Sequence, residues 1–176
     1  MSLVIKESFL NNKCIVYRNW YNINKQQWNF LLNLPYDTIS SRSVCYFGEK
    51  PYSYTGYSHS KKSIPKNLQS LINKINLICN FEFNSILINL YKNGNDYVGY
   101  HSDDEKELDF SVIASLSFGE TRNFLIKNKY TDYLTKLELN NNDLLIMNDM
   151  QIGYKHSIPK QKNKKKRINL TFRKVL

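Results

Sequence analysis

From Phe83 to the C-terminus, short apolar runs, in places alternating with polar residues at a period of two, follow one another and are broken by Gly, Asn, Asp and Pro. That pattern predicts strands at about 84–91, 97–101, 111–118, 122–127, 134–139, 143–147, 154–158 and 167–174. The first half reads differently. Asn24 looks like an N-cap for a helix carrying Trp28, Phe30, Leu31 and Leu32, ended before Pro35. Pro65 fits a first helical position, with Leu68, Leu71, Ile72 and Ile75 following at helical spacing. Short apolar runs at 3–5 and 14–17, around Asn11-Asn12, read as two edge strands, and 44–48 reads as another. Residues 35–42 read as irregular, and 51–57 as a loop dense in tyrosine. Many short strands with two early helices on one side argue for an α+β chain built on a two-sheet sandwich or jelly roll.

At 176 residues the chain is expected to form one domain with a substantial core. It contains no apolar run long enough to span a bilayer and no early stretch resembling a signal peptide, so a soluble, intracellular protein without a membrane partner is expected. Cys14, Cys45 and Cys79 are widely spaced and form no Cys-x-x-Cys pair, which suggests reduced thiols rather than a disulfide framework or zinc knuckle. The formal net charge of +10 favours a polyanionic partner. Enrichment in Lys, Asn, Ile and Tyr throughout gives a second explanation, simple compositional drift.

Candidate chemistry gathers in Val98-Gly99-Tyr100-His101-Ser102-Asp103-Asp104-Glu105. In extended backbone His101 and Asp103, two apart, point the same way. An imidazole and a carboxylate on one side are two of the three ligands of a 2-His-1-carboxylate iron site, although a surface hydrogen-bonded pair has the same spacing. His156 is a third candidate ligand. In Arg167-Ile168-Asn169-Leu170-Thr171-Phe172-Arg173 polar residues share one face and apolar residues the other, and Asn89 and Tyr91 show the same phase against Ile88 and Leu90. Such a face is either the solvent side of an edge strand or a cavity wall whose arginines clamp a carboxylate. The tyrosines of 51–57 either pack over a sheet edge or stack on an exposed base.

The ordered set Asn89-x-Tyr91, His101-x-Asp103, His156, Arg167-x-Asn169-x-Thr171-x-Arg173 resembles the AlkB family of iron(II)/2-oxoglutarate dioxygenases, most of all the branch of animal homologues that repair alkylated DNA. Further matching blocks are Tyr52-Ser53-Tyr54-Thr55-Gly56, Phe83-Asn84 through Tyr91, Ala114-Ser115-Leu116-Ser117-Phe118-Gly119 and Leu144-Leu145-Ile146-Met147. The match runs from about Arg42 to the C-terminus, and residues 1–41 match loosely.

The resemblance implies a double-stranded β-helix (jelly-roll) core over about 84–174, two antiparallel sheets with the two helices packed on one of them. It implies Fe(II) on His101, Asp103 and His156, and 2-oxoglutarate on Asn89, Tyr91, Arg167, Asn169, Thr171 and Arg173, with O2 as the second cosubstrate. The implied reaction is oxidative demethylation of bases of the 1-methyladenine or 3-methylcytosine type in DNA or RNA, presented single-stranded or flipped, by a monomer. The base would lie between Tyr54 and His101, with Tyr52 nearby and Asp104 favouring its cationic form. Lys160, Lys162, Lys164, Lys165 and Lys166 would meet phosphates near the cavity mouth, unless they form an import signal or a solvated loop. Two departures stand out. Asn142 replaces the usual Gly before the Asp-Leu-Leu turn, a position where Asn tolerates left-handed backbone. About 34–41, where duplex-repair relatives carry an apolar wedge, offers Leu34, Pro35, Tyr36 and Ile39, which leaves single-stranded DNA or RNA open. The rival readings are an inactive nucleic-acid-binding protein of the same fold and an oxygenase that hydroxylates protein side chains.

Overall fold

The period-two alternation resolves into two facing antiparallel sheets. The computed structural model describes residues 4–54 and 57–176, with backbone alone at Tyr54. Leu3, Thr55, Gly56 and the side chain of Tyr54, all part of the sequence reading, lie outside the described residues. In chain order the elements are β1 (Ile5–Phe9), β2 (Cys14–Arg18), α1 (Lys25–Leu32), β3 (Asp37–Ile39), β4 (Arg42–Gly48), β5 (Tyr52–Tyr54), β6 (Tyr57–His59), α2 (Lys66–Cys79), β7 (Ser85–Tyr91), β8 (Val98–His101), β9 (Leu108–Gly119), β10 (Arg122–Asn128), β11 (Leu134–Leu139), β12 (Leu144–Asn148), β13 (Tyr154–Ile158) and β14 (Arg167–Val175). The larger sheet runs β1-β2-β12-β9-β14-β7-β4-β3, the smaller β11-β10-β13-β8, and β5-β6 forms a separate hairpin. This is the jelly-roll core expected of the chain.

Each strand of the larger sheet sends alternate residues to opposite sides. Ile86, Ile88 and Leu90 of β7, Ala114, Leu116 and Phe118 of β9, and Ile168, Leu170 and Phe172 of β14 bury against Leu31 of α1 and Leu68, Leu71, Ile72 and Ile75 of α2. Burying each such side chain contributes about 1.5–3 kcal/mol, which fixes the register of the sheet under its helices. The other side faces the smaller sheet. There Ile113, Leu145 and Met147 meet Phe124, Ile126, Leu137 and Leu139 at one end, and the polar residues of β7 and β14 face inward at the other.

The local signals act as read, with small shifts. Asn24 caps α1 through a reciprocal pair of bonds with Gln27. Pro65 is the N-cap of α2 rather than its first residue, and Asn80 closes that helix with φ 47°. Asn142 takes φ 70°. Residues 35–42 are not irregular throughout, since β3 pairs with β4 at the sheet edge, and the tyrosine loop folds as the β5–β6 hairpin. Among the described residues the three cysteines are free thiols. Burial pushes Cys14 and Cys79 up to about 12, so both stay protonated.

Arg122 ties the smaller sheet together and is fully buried. Its Nη2 donates to the carbonyls of Asp96 at 2.8 Å and Pro159 at 2.6 Å, and its Nε donates to Gln161 Oε1 at 3.3 Å. The turn before β8 is thereby fastened to the end of β13. Arg122→Ala leaves those buried acceptors unpaired and is expected to destabilise the protein by about 2–4 kcal/mol, read as a lower urea midpoint at unchanged slope. A loss below about 1 kcal/mol would contradict that role.

Candidate active site

His101 and His156 are directly paired residues on the neighbouring strands β8 and β13. The register slips by one between that pair and Ile158–Val98, a β-bulge at Gly99-Tyr100. The extra residue lets Val98 and His101 both face inward although they are three apart. Asp103 lies just past the end of β8 in a loop with two fastenings. Buried Gln151 accepts from the Asp103 backbone N–H at 2.9 Å, and Ser102 Oγ donates to the Tyr154 carbonyl at 2.9 Å. The three side chains therefore converge. His101 Nε2 is 3.8 Å from Asp103 Oδ1, His156 Nε2 is 3.9 Å from Asp103 Oδ2, and one ligand atom from each residue lies within 4.8 Å of the others.

The chemistry of these donors fits a divalent metal. His101 Nδ1 is 2.8 Å from the Gly99 carbonyl oxygen, which can only accept, so Nδ1 carries the proton and Nε2 keeps its lone pair. Burial, and next the neighbouring His101, push His156 down to about 3, and burial also lowers His101. Both rings are thus neutral at physiological pH, the form that binds metal. Burial opposes ionisation of Asp103, but Arg173 and the two histidines outweigh it and hold its pKa at about 2. Its Oδ2 is buried with no hydrogen-bond partner, the state of an oxygen that awaits a cation. Two neutral imidazoles and one carboxylate form a facial triad with open positions.

Behind the triad stands a polar wall on the inner face of the larger sheet. Opposed pairs across β7 and β14 are Tyr91–Arg167 and Asn89–Asn169, and across β14 and β9 Asn169–Ser117 and Thr171–Ser115. The strand β14 is central, between β9 and β7, which removes the solvent-facing explanation of its polar side. Asn169 Nδ2 donates to Ser115 Oγ at 2.8 Å, and Thr171 Oγ1 donates to Asn169 Oδ1 at 3.0 Å, so Asn169 holds its neighbours in place. Arg173 Nη2 donates to Asp103 Oδ1 at 2.7 Å, at the triad end. Arg167 occupies the far end, only 1% exposed. Its Nη2 donates to Ser117 Oγ at 2.9 Å, while Nε and Nη1 are buried without a partner. Tyr91 lies against two guanidinium groups, Arg167 at 5.1 Å and Arg122 at 5.5 Å from its ring centre. A buried cation beside another cation, with unpartnered N–H groups, is costly unless an anion arrives. A carboxylate entering the cavity that both Arg167 and the triad line would answer this charge.

At the rim the picture is mixed. Tyr52 is buried, 5.8 Å from Tyr46, with the Arg173 guanidinium 5.5 Å from its ring centre, so it backs the clamp. Asp104 is half exposed and lies 3.4 Å from Lys129 Nζ. Glu105 is partly buried, and burial raises its pKa. Of the lysine run, Lys160 lies 4.9 Å from the Tyr97 ring centre, and Lys164 pairs with Glu120 at 3.4 Å. Leu34 and Tyr36 pack against the core beneath the helices and Ile39 packs against Val44 and its neighbours, and the β3–β4 turn they lead to carries Ser40 and Ser41.

Sequence reasoning did not single out Arg42, which is buried on β4, donates from Nε to Asn89 Oδ1 at 2.6 Å, and lines the same cavity. Gln151, Ser115 and Ser117 also went unnoticed as supports. For Arg42 the available signal was its phase, since continuing β4 back by alternation from Tyr46 places it on the inner face.

A family model described as the 2OG-Fe(II) oxygenase superfamily matches residues 19–173. The chain belongs to that superfamily, and membership implies Fe(II), 2-oxoglutarate and O2 as metal and cosubstrates. Within the superfamily its relatives are AlkB proteins. DNA oxidative demethylase ALKBH2 of Bos taurus is 37% identical over 136 residues, covering 71% of this chain and 49% of the relative. Alpha-ketoglutarate-dependent dioxygenase alkB homolog 3 of Homo sapiens is 38% identical over 152 residues, covering 76% and 51%. The chain thus spans about half the length of the curated relatives it matches. The solved structure described as "The structure of OsALKBH1" superposes with a TM-score of 0.72 at 17% identity, covering 97% of this chain and 100% of that one, a likeness of fold.

Proposed function

We propose that this chain oxidatively demethylates N-alkylated bases of the 1-methyladenine and 3-methylcytosine type in single-stranded DNA or RNA. His101, Asp103 and His156 hold Fe(II), and Asn89, Tyr91, Arg167, Asn169, Thr171 and Arg173 form the wall that seats 2-oxoglutarate. The observation that carries this reading is the pairing of a converged, neutral-His triad with a buried Arg167, two of whose nitrogens lack a hydrogen-bond partner, on one polar wall. The substrate class rests on the AlkB relatives, among them DNA oxidative demethylase ALKBH2. A duplex would need a wedge to extrude the base, and the apolar residues before the serine-tipped β3–β4 turn are committed to packing, which favours a strand already single.

Bound Fe(II) supplies the activation of dioxygen coupled to decarboxylation of 2-oxoglutarate, one oxygen atom ending in succinate beside carbon dioxide and the other in the substrate methyl group as a hydroxyl. The chain's own residues do the positioning. Arg167 answers the distal carboxylate, and Arg173 steers the keto-acid end while keeping Asp103 ionised. Gln151 fixes the Asp103 loop, and the Gly99 carbonyl fixes the His101 tautomer. Tyr54 and His101 would hold the base, with Asp104 favouring its cationic form when released from Lys129. The hydroxymethyl product then breaks its nitrogen–carbon bond. The electron pair stays on the ring nitrogen, the hydroxyl proton is lost, and formaldehyde leaves.

Coupling tests this reading against its rivals. Succinate release should rise with an oligonucleotide carrying 1-methyladenine or 3-methylcytosine, and not with the unmethylated strand or with peptides. Stimulation by peptides alone would make the chain a protein oxygenase. Iron binding with no succinate from any substrate would make it an inactive binding protein.

A further inference from the structure

Outside the cavity, on the far side of His101, a shallow groove runs between the β3–β4 turn, the start of β6 and strand β8. Three tyrosines stand in it, Tyr57 at 43%, Tyr97 at 36% and Tyr100 at 45% exposure. Large aromatics gathered in one exposed groove next to a reactive cavity are unusual on a soluble surface and mark a binding face. The placement is built rather than incidental. The β8 bulge that turns His101 inward leaves Tyr100 pointing out from the edge strand of the smaller sheet. Tyr97 is anchored to the β3–β4 turn by its backbone N–H, which donates to the Ser41 carbonyl at 2.9 Å.

We propose that this groove binds the unmodified nucleotides flanking the target base in a single strand, with Tyr97 and Tyr100 as stacking platforms. The inference rests on the demethylase reading and extends it from one base to the strand that carries it. Two observations select this occupant over a second copy of the chain or a peptide. Among the described residues the groove lining contains no carboxylate, whereas Arg42 lies in it and Lys160 sits over Tyr97, a set of charges that suits a phosphate backbone. His101 lines both the cavity and the groove, so a base held at the triad hands its neighbours directly onto Tyr100. Aromatic faces accept any base, and the groove therefore confers affinity for single strands without sequence preference.

The test is fluorescence anisotropy of the full chain with labelled, unmethylated oligothymidylate and oligouridylate. Loss of one stacked base costs about 5- to 150-fold in Kd, so the Tyr97→Ala/Tyr100→Ala double variant should bind both strands at least about tenfold more weakly than wild type. The Tyr97→Phe/Tyr100→Phe variant keeps the rings and should bind within about twofold. The tighter of the two wild-type complexes tells DNA from RNA. Unchanged binding by the alanine variant overturns the proposal, as does an equal loss in the phenylalanine variant. A wild-type dimer that the alanine substitutions dissolve while strand binding persists also overturns it. Failure of the wild-type chain to bind either strand overturns it too, whereas succinate release with a methylated oligonucleotide tests the underlying demethylase reading separately.

Discussion

His101→Ala is expected to lower divalent-metal affinity by well over a hundredfold and to abolish 2-oxoglutarate turnover, coupled and uncoupled alike. Loss of an outer-shell partner alone costs 10- to 100-fold in metal sites, and loss of a direct ligand exceeds that. His101 is the residue to remove because its side chain, 18% exposed, is the most accessible of the three. Titration of the metal-free protein with Mn(II), followed by calorimetry, gives the affinity directly. The pH dependence has a defined sign. With His156 lowered to about 3, His101 also lowered and Asp103 at about 2, protons compete with the metal only in acid. With both histidines lowered, affinity should begin to fall only at a pH below the ordinary histidine range near 6.5. A tenfold loss between pH 7.5 and pH 6 would show that the histidines are not buried and neutral as described.

Arg167→Met is expected to weaken 2-oxoglutarate binding by at least tenfold while leaving the metal-free fold as stable as wild type or more so. The two effects share one cause. In the ligand-free protein Arg167 is a buried cation with unpartnered nitrogens beside Arg122, and replacing such a group by an apolar side chain of similar volume is often neutral or stabilising. With the cosubstrate bound, the same guanidinium makes charge-assisted bonds worth about 2–5 kcal/mol. Arg167→Lys should not rescue, since an ammonium gives one point contact where the fork gives two parallel bonds. Arg173 behaves differently, because it also compensates Asp103. Arg173→Ala should weaken both metal and 2-oxoglutarate binding, whereas Arg167→Met should leave metal affinity alone. Chemical denaturation and calorimetry on the two variants separate these outcomes, and unchanged 2-oxoglutarate affinity in both would remove the clamp.

The parts legible from sequence are those governed by period two and by local caps. Asn89, Tyr91 and the four polar residues of β14 announced their shared face because Ile88, Leu90, Ile168, Leu170 and Phe172 had to bury on the other. The start of α1 and the left-handed turn at Asn142 follow from the side chains at those positions. What stayed hidden depends on long-range pairing. Arg42 meets Asn89 forty-seven positions away, and nothing in its neighbours shows that contact. Gln151 lies in a turn and acts through its side chain on the Asp103 backbone. Alternation alone places Val98 and His101 on opposite faces, and only the bulge at Gly99-Tyr100 reverses that. Whether β14 was an edge or a central strand was likewise a question of sheet order, on which a single strand's sequence is silent.

Mass spectrometry of a single-stranded oligonucleotide carrying one 1-methyladenine or 3-methylcytosine, incubated with the protein, Fe(II), 2-oxoglutarate and air, bears most directly on the whole account. The expected result is loss of one methylene from the strand, with one formaldehyde and one succinate per strand repaired, and no change when His101 is replaced by alanine. An unchanged strand mass despite continuing succinate production would contradict the assignment of this cavity to methylated bases.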